Sequence, residues 1–228
     1  MSEFTKEKAV RKLNNINVKI GYPDVWTNYT QLIIKRHNNC GCLLQNVLNI
    51  CNFQLKQELL LLNKEVEHDS WEMSPQTVDA YYNPTKNEIV FPAAILQDPF
   101  YDVKNSKVEN LGWIGAVIGH ELTHAFDNTG SKFDEYENLN NWWTDEDYEE
   151  FNIRSKKVMD YYSHIQINNG EFVNGKLTAG ENISDLGGVA CIIDIANNIN
   201  IVLSQFEEFY DIYGIKKRAI CIYYLKIE

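Results

Sequence analysis

Along the first residues, charged and apolar side chains recur in steps of three and four. Phe4, Ala9, Val10 and Leu13 recur at roughly helical spacing, which predicts a helix over residues 3–14. The run Asn17-Val18-Lys19-Ile20-Gly21-Tyr22 then alternates polar with apolar and stops at Pro23, which predicts a short strand. Between Asp24 and Leu62, helical spacing returns in Leu43, Leu44, Val47 and Leu48 and again in Leu55, Leu59 and Leu62. Val78–Tyr82 and Glu88–Phe91 are rich in β-formers and flank the turn chemistry of Asn83-Pro84-Thr85-Lys86-Asn87, which predicts a hairpin. Pro92 and Pro99 should end that pairing, because proline offers the ladder no N–H. Helices are expected from about Leu111 to Asn128 and, behind a Thr144/Asp147 capping box, to about Ile165. Two more follow, over Thr178 to Asn197 and Phe206 to Tyr213. No repeat or linker divides the chain, so the pattern predicts one α+β, mostly helical domain.

Composition narrows the class. The 228 residues are 44% hydrophobic and 12% aromatic, enough apolar surface to fold, and they carry a formal charge of −11. The basic residues form no run longer than Lys216-Lys217-Arg218, so a nucleic-acid partner is not expected. No stretch approaches twenty apolar residues, so no membrane span is expected. Residues 1–11 lack the apolar core of a secretory signal, which for a chain beginning natively at Met1 predicts a cytoplasmic location. Cys40, Cys42, Cys51, Cys191 and Cys221 are odd in number and are expected to be reduced thiols. A second metal site from His37, Cys40, Cys42 and Cys51 lacks the paired spacing of zinc ribbons.

Chemistry enters with His120-Glu121-Leu122-Thr123-His124 inside the 111–128 helix. Residues four apart lie on one helical face, so both imidazoles reach one cation, while Glu121, about 100° round the helix, reaches a water bound to it. Zinc needs a third protein ligand, and Glu181 of Gly180-Glu181-Asn182-Ile183-Ser184-Asp185 on a later helix is the candidate. Asp185, one turn further, and Asp127, one turn beyond His124, suit carboxylates that hold the other imidazole N–H. The bland alternative makes these histidines ordinary core residues and the acids solvated charges. Ile114, Val117, Ile118, Leu122 and Ala125 argue against it, since isolated charges flanked by buried surface are costly.

Six segments in collinear order extend the pattern: 18–23 (Val-Lys-Ile-Gly-Tyr-Pro), 78–84 (Val-Asp-Ala-Tyr-Tyr-Asn-Pro), 89–96 (Ile-Val-Phe-Pro-Ala-Ala-Ile-Leu), 120–127, 141–144 (Asn-Trp-Trp-Thr) and 180–188. Together they resemble the neprilysin family of zinc endopeptidases, peptidase family M13, and especially its bacterial oligopeptidase members, over about residues 10 to 213. The resemblance implies a zincin (gluzincin-like) catalytic lobe with a small hairpin or edge strand beside the His-Glu-x-x-His helix. It implies one Zn²⁺ per chain on His120, His124 and Glu181, with Glu121 as the base that activates water. It also implies that Asp127 orients His124 and that Asp185 orients His120 and acts as a second catalytic residue. Peptide substrates would hydrogen-bond the Asp79-Ala80 segment, and Ile95, Phe100 and Val117 would line the pocket for the residue after the scissile bond, with plain core packing as their alternative.

The chain departs from the family at three points. Asp79 stands where the family has asparagine, so a group that donates and accepts becomes an acceptor when ionised. The family's helical roof domain precedes the region that this chain matches. Beyond Tyr213-Gly214 the family carries a segment with a histidine and a substrate-binding arginine; Lys216–Glu228 holds no histidine, and its one arginine, Arg218, belongs to the short basic run and not to such a segment. These departures lead us to expect a single partial catalytic domain spanning residues 1–228, with weak or absent peptidase activity as the alternative to an active zinc endopeptidase. In that alternative the chain is a zinc-binding fragment that acts as a binding or assembly partner, completed by a separately encoded lobe or by a homo-oligomer. An extracellular or membrane-anchored location is the alternative if an amino-terminal part is missing.

Overall fold

Ser2 opens helix α1 (Glu3–Asn14) by accepting the Thr5 N–H on its hydroxyl, as an N-cap does. The computed structural model describes residues 1–64 and 68–203. The expected helix Phe206–Tyr213, the basic run at 216–218 and Cys221 lie outside the described residues. The helix expected over 3–14 forms, but the side chains it buries are not the apolar ones whose spacing predicted it. Thr5 and Lys12 are buried, whereas Phe4, Val10 and Leu13 are exposed. Strand β1 (Asn17–Gly21) repeats this inversion: Val18 and Ile20 face outward while Lys19 is buried. The physical reason is that each lysine has acceptors waiting inside. Lys19 Nζ lies 2.7 Å from a fully buried Glu88 carboxylate and donates to Ser70 O at 2.8 Å.

The segment at 24–42 also departs from its expected helical form. Asn46 pairs with both backbone groups of Lys35, and Asn49 donates to Ile33 O at 2.8 Å. Backbone held by side chains in this way does not close helical turns. One helix, α2 (Leu43–Leu60), therefore follows a single 3₁₀ turn at His37–Asn39, and its leucines are largely exposed.

The hairpin forms, with its first strand shorter than expected. Strand β2 (Tyr81–Asn83) runs antiparallel to β3 (Glu88–Pro92), with Asn83 opposite Glu88. Pairing stops at Pro92 as expected: it is the last paired residue of β3, opposite Gly21 of β1. β1 joins β3 in parallel, so the sheet order is β1-β3-β2 and β3, buried along its whole length, is central. Ala80, Ile89, Phe91, Ile95 and Ile114 form the core beneath it, and Phe100, Val117 and Leu122 pack against them.

The helix expected at 111–128 begins earlier and ends earlier. Ser106 and Glu109 make a reciprocal capping box that starts α3 (Lys107–Asn110). A π turn at Leu111–Gly115 leads into α4 (Ala116–His124). Helix α5 (Asp145–Ser163) is capped by Thr144, whose hydroxyl accepts the Asp147 N–H. The Asp147 carboxylate, instead of closing the box on Thr144 N, takes the Thr144 hydroxyl and the Ser2 N–H. It thereby joins the starts of α1 and α5. Helix α6 (Ala179–Leu203) crosses α4 at glycines. No helix among the described residues is long and apolar enough to cross a membrane.

Candidate metal centre

The close crossing of α4 and α6 builds the site. A Cβ on Gly188 would lie 2.8 Å from Ala116 O and 2.9 Å from His120 N, and one on Gly187 would strike Thr123. With hydrogen in place of side chains there, the backbones touch, and Glu181 and Asp185 on successive turns of α6 come over the histidine face of α4. His120 Nε2 and His124 Nε2 stand 2.9 Å apart, and Glu181 Oε2 lies 3.2 Å from the first and 3.5 Å from the second. Three donors bonded tetrahedrally to zinc at ~2.0–2.1 Å would be separated by about 3.3 Å. The donor set and its spacing therefore fit that ion. Among the described residues, this is the only group of three or more His, Cys, Asp or Glu side chains close enough to share a metal, so the His37/Cys40/Cys42/Cys51 combination does not assemble.

Each imidazole is held from behind. His120 Nδ1 faces Asp185 Oδ1 and His124 Nδ1 faces Asp127 Oδ2, both at 2.8 Å. A proton on each Nδ1 leaves the Nε2 lone pairs turned toward the common point. Asp127 reaches His124 by a different route from the one expected. α4 ends at His124, and the chain turns so that Asp127 Oδ1 accepts the N–H groups of Thr129 and Gly130 at 2.6 and 2.7 Å. Gly130 is required in this turn, since a Cβ there would sit 1.9 Å from His124 O.

Glu121 is buried and lines the cleft beside the histidines. Burial raises its carboxyl above the usual range. His124 and His120 oppose that shift, and the charges of Glu181 and Asp79 add to it. Burial by itself would lower His124, but the hydrogen bond and charge of Asp127, with Glu121 and Glu181, turn its net shift upward.

The cleft has a volume of about 600 Å³ and reaches from Asp79–Tyr82 across the histidines to Leu177 and Glu181. Asp79 and Ala80 thus lie at the cleft, on the approach to β2, whose edge away from β3 pairs with no other strand among the described residues. Asp79 Oδ1 accepts the Ala80 N–H at 2.9 Å. Ile95, Phe100 and Val117 are not at the cleft wall; they belong to the apolar core under the sheet, the core-packing alternative. Ser184 is fully buried within α6, and Cys191, like Cys40, Cys42 and Cys51, is an unbridged, exposed thiol.

One residue of this region was not foreseen. Lys12 of α1 is 1% exposed, and its ammonium donates to Ala125 O, Gly130 O and Phe133 O at 2.7, 2.6 and 2.8 Å. Burial lowers it to about 8, against the charges of Asp127 and Asp134. Nothing in sequence spacing separates this lysine from the solvated ones around it.

Comparison with known proteins bears on the family. The model for Peptidase family M13 matches residues 79–199, more than half of the chain. A neutral endopeptidase of Lactobacillus helveticus is 43% identical over 211 residues, covering 92% of this chain and 32% of that protein. Neprilysin-3 of Drosophila melanogaster is 44% identical over 188 residues, covering 81% and 24% respectively. The chain thus spans a third or less of the length of these relatives. The crystal structure of the Mycobacterium tuberculosis zinc metalloprotease ZMP1 with an inhibitor superposes with a TM-score of 0.80 at 42% identity, covering 87% of this chain and 31% of that one. The chain belongs to peptidase family M13.

Proposed function

We propose that the chain carries the zinc centre of a metalloendopeptidase that hydrolyses short peptides, with His120, His124 and Glu181 as ligands and Glu121 as general base. The observation that carries this reading is the approach of His120 Nε2, His124 Nε2 and Glu181 Oε2 to within 2.9–3.5 Å of one another. A zinc ion held there supplies Lewis acidity, polarising a peptide carbonyl and acidifying water. Glu121 accepts the proton of the attacking water and delivers it to the leaving amine. Its burial, which favours the protonated form, suits a group that must hold that proton in passing. Asp127 and Asp185 keep both imidazoles in the tautomer that presents Nε2. The Asp79–Ala80 segment and the open edge of β2 offer a substrate backbone the hydrogen bonds of an added strand. The names of the relatives, neutral endopeptidase and zinc metalloprotease, support the same chemistry.

The test is hydrolysis of a quenched fluorescent peptide by the zinc-loaded chain and by Glu121→Gln. Zinc-dependent cleavage that is lost in Glu121→Gln, with zinc retained, is the expected result. Zinc bound without cleavage by either form would favour the assembly-partner alternative.

A further inference from the structure

Resting on the zinc reading above, we infer that Lys12 is a positioning residue of the metal site: from α1 it clamps the turn after α4 so that Asp127 faces His124. Its three acceptors bracket the aspartate, with Ala125 O two residues before it, Gly130 O three after, and Phe133 O closing the turn. The same turn supplies the Thr129 and Gly130 N–H groups that fix Asp127 Oδ1, leaving Oδ2 for His124. One ammonium and one carboxylate therefore hold the turn from opposite sides, the first through its carbonyls and the second through its N–H groups.

Several features mark Lys12 as more than a packing anchor. Its charge sits at the carbonyl end of α4, where a cation complements the helix dipole. Among the described residues no carboxylate lies within ion-pair distance of it. Its field therefore falls on the carbonyls and, beyond them, on Asp127 and Asp134. The rings of Phe126, Tyr82 and Trp142 enclose it at 5.6–6.0 Å, excluding water and favouring a cation. A buried charge is tolerated when its donors are all used, and here three donors meet three carbonyls.

The test is a double-mutant cycle on zinc affinity, measured by chelator competition on the 228-residue chain. Lys12→Met is expected to weaken zinc about tenfold where Asp127 is present, in the range seen when a ligand's hydrogen-bond partner is lost. It should add little in an Asp127→Asn background, because both act through one contact. Lys12→Arg, which keeps charge and donors, should restore most of the affinity, and the cobalt-substituted protein should give altered visible absorption in Lys12→Met alone. Thr5→Ala, a buried change on the same helix, controls for loss of stability without loss of affinity. If Lys12→Met does not fold, Lys12→Gln carries the same cycle. Unchanged zinc affinity, or losses that simply add across the cycle, would overturn the assignment of Lys12 while leaving the metal centre in place. Failure of the unsubstituted chain to bind zinc would overturn both.

Discussion

Gly188 lies so close to Gly119 that a Cβ on Gly119 would stand 2.9 Å from the Gly188 α-carbon. Two helices that meet backbone to backbone leave no room for adjustment, and this contact fixes how far Glu181 and Asp185 reach over the histidines. Gly188→Ala is expected to destabilise the chain by ~1–3 kcal/mol, because the new methyl meets backbone atoms that cannot rotate away. It should also weaken zinc binding. Gly112→Ala, where a Cβ meets nothing within 4 Å, should change zinc affinity little. Urea unfolding and chelator competition on the two variants check this.

The carboxylates behind the imidazoles should matter as much as their geometry suggests. Asp127→Ala and Asp185→Ala are each expected to lower zinc affinity by roughly 10–100-fold, while His120→Ala or Glu181→Ala should reduce it further. Asp127→Ala should also cost more stability than Asp185→Ala, since Asp127 is buried and holds two backbone N–H groups as well. Metal titration and thermal melting of the set separate the two effects.

Much of this arrangement was legible in the sequence because local rules governed it. The four-residue spacing placed both histidines, and the spacing of Glu181 and Asp185 placed two acids on one face of α6. What could not be read depended on contacts between distant segments. Lys12 and Lys19 are buried because carbonyls and Glu88 await them, and no periodicity reveals acceptors that lie 113 and 69 residues away in the chain. The parallel pairing of β1 with β3 is likewise a long-range event. The turn that brings Asp127 to His124 replaced the helical turn expected there, because Lys12, Thr129 and Gly130 bind its backbone and side chain more favourably than a continued helix would.

Asp147 provides a pH handle on the packing of α1. Hydrogen bonds from Ser2, Thr5 and Thr144 hold its carboxyl well below the usual range. A depressed folded-state value contributes stability that is present above the unfolded value of 3.8 and lost as pH falls toward the folded one. Asp147→Asn should therefore lower the melting temperature at pH 6, and the gap from the unsubstituted chain should shrink as pH drops below about 3.8. A gap that stays constant down to pH 2.5 would mean that the carboxylate's charge plays no part.

Asp79 should be replaceable with benefit. Its carboxylate only accepts, whereas an amide there could accept the Ala80 N–H and also donate to a substrate carbonyl. Asp79→Asn is expected to raise kcat/KM for peptides by about fivefold, the worth of one net hydrogen bond of ~1 kcal/mol. An unchanged or lower value would remove Asp79 from the substrate's path.

Zinc K-edge absorption of the chain reconstituted with one equivalent of zinc tests the centre itself. The predicted spectrum has a first shell of nitrogen and oxygen donors at about 2.0–2.1 Å, with the outer-shell scattering of two imidazoles. A shell containing sulfur at about 2.3 Å, which would place the ion on cysteines, or zinc that washes away on gel filtration, would contradict it.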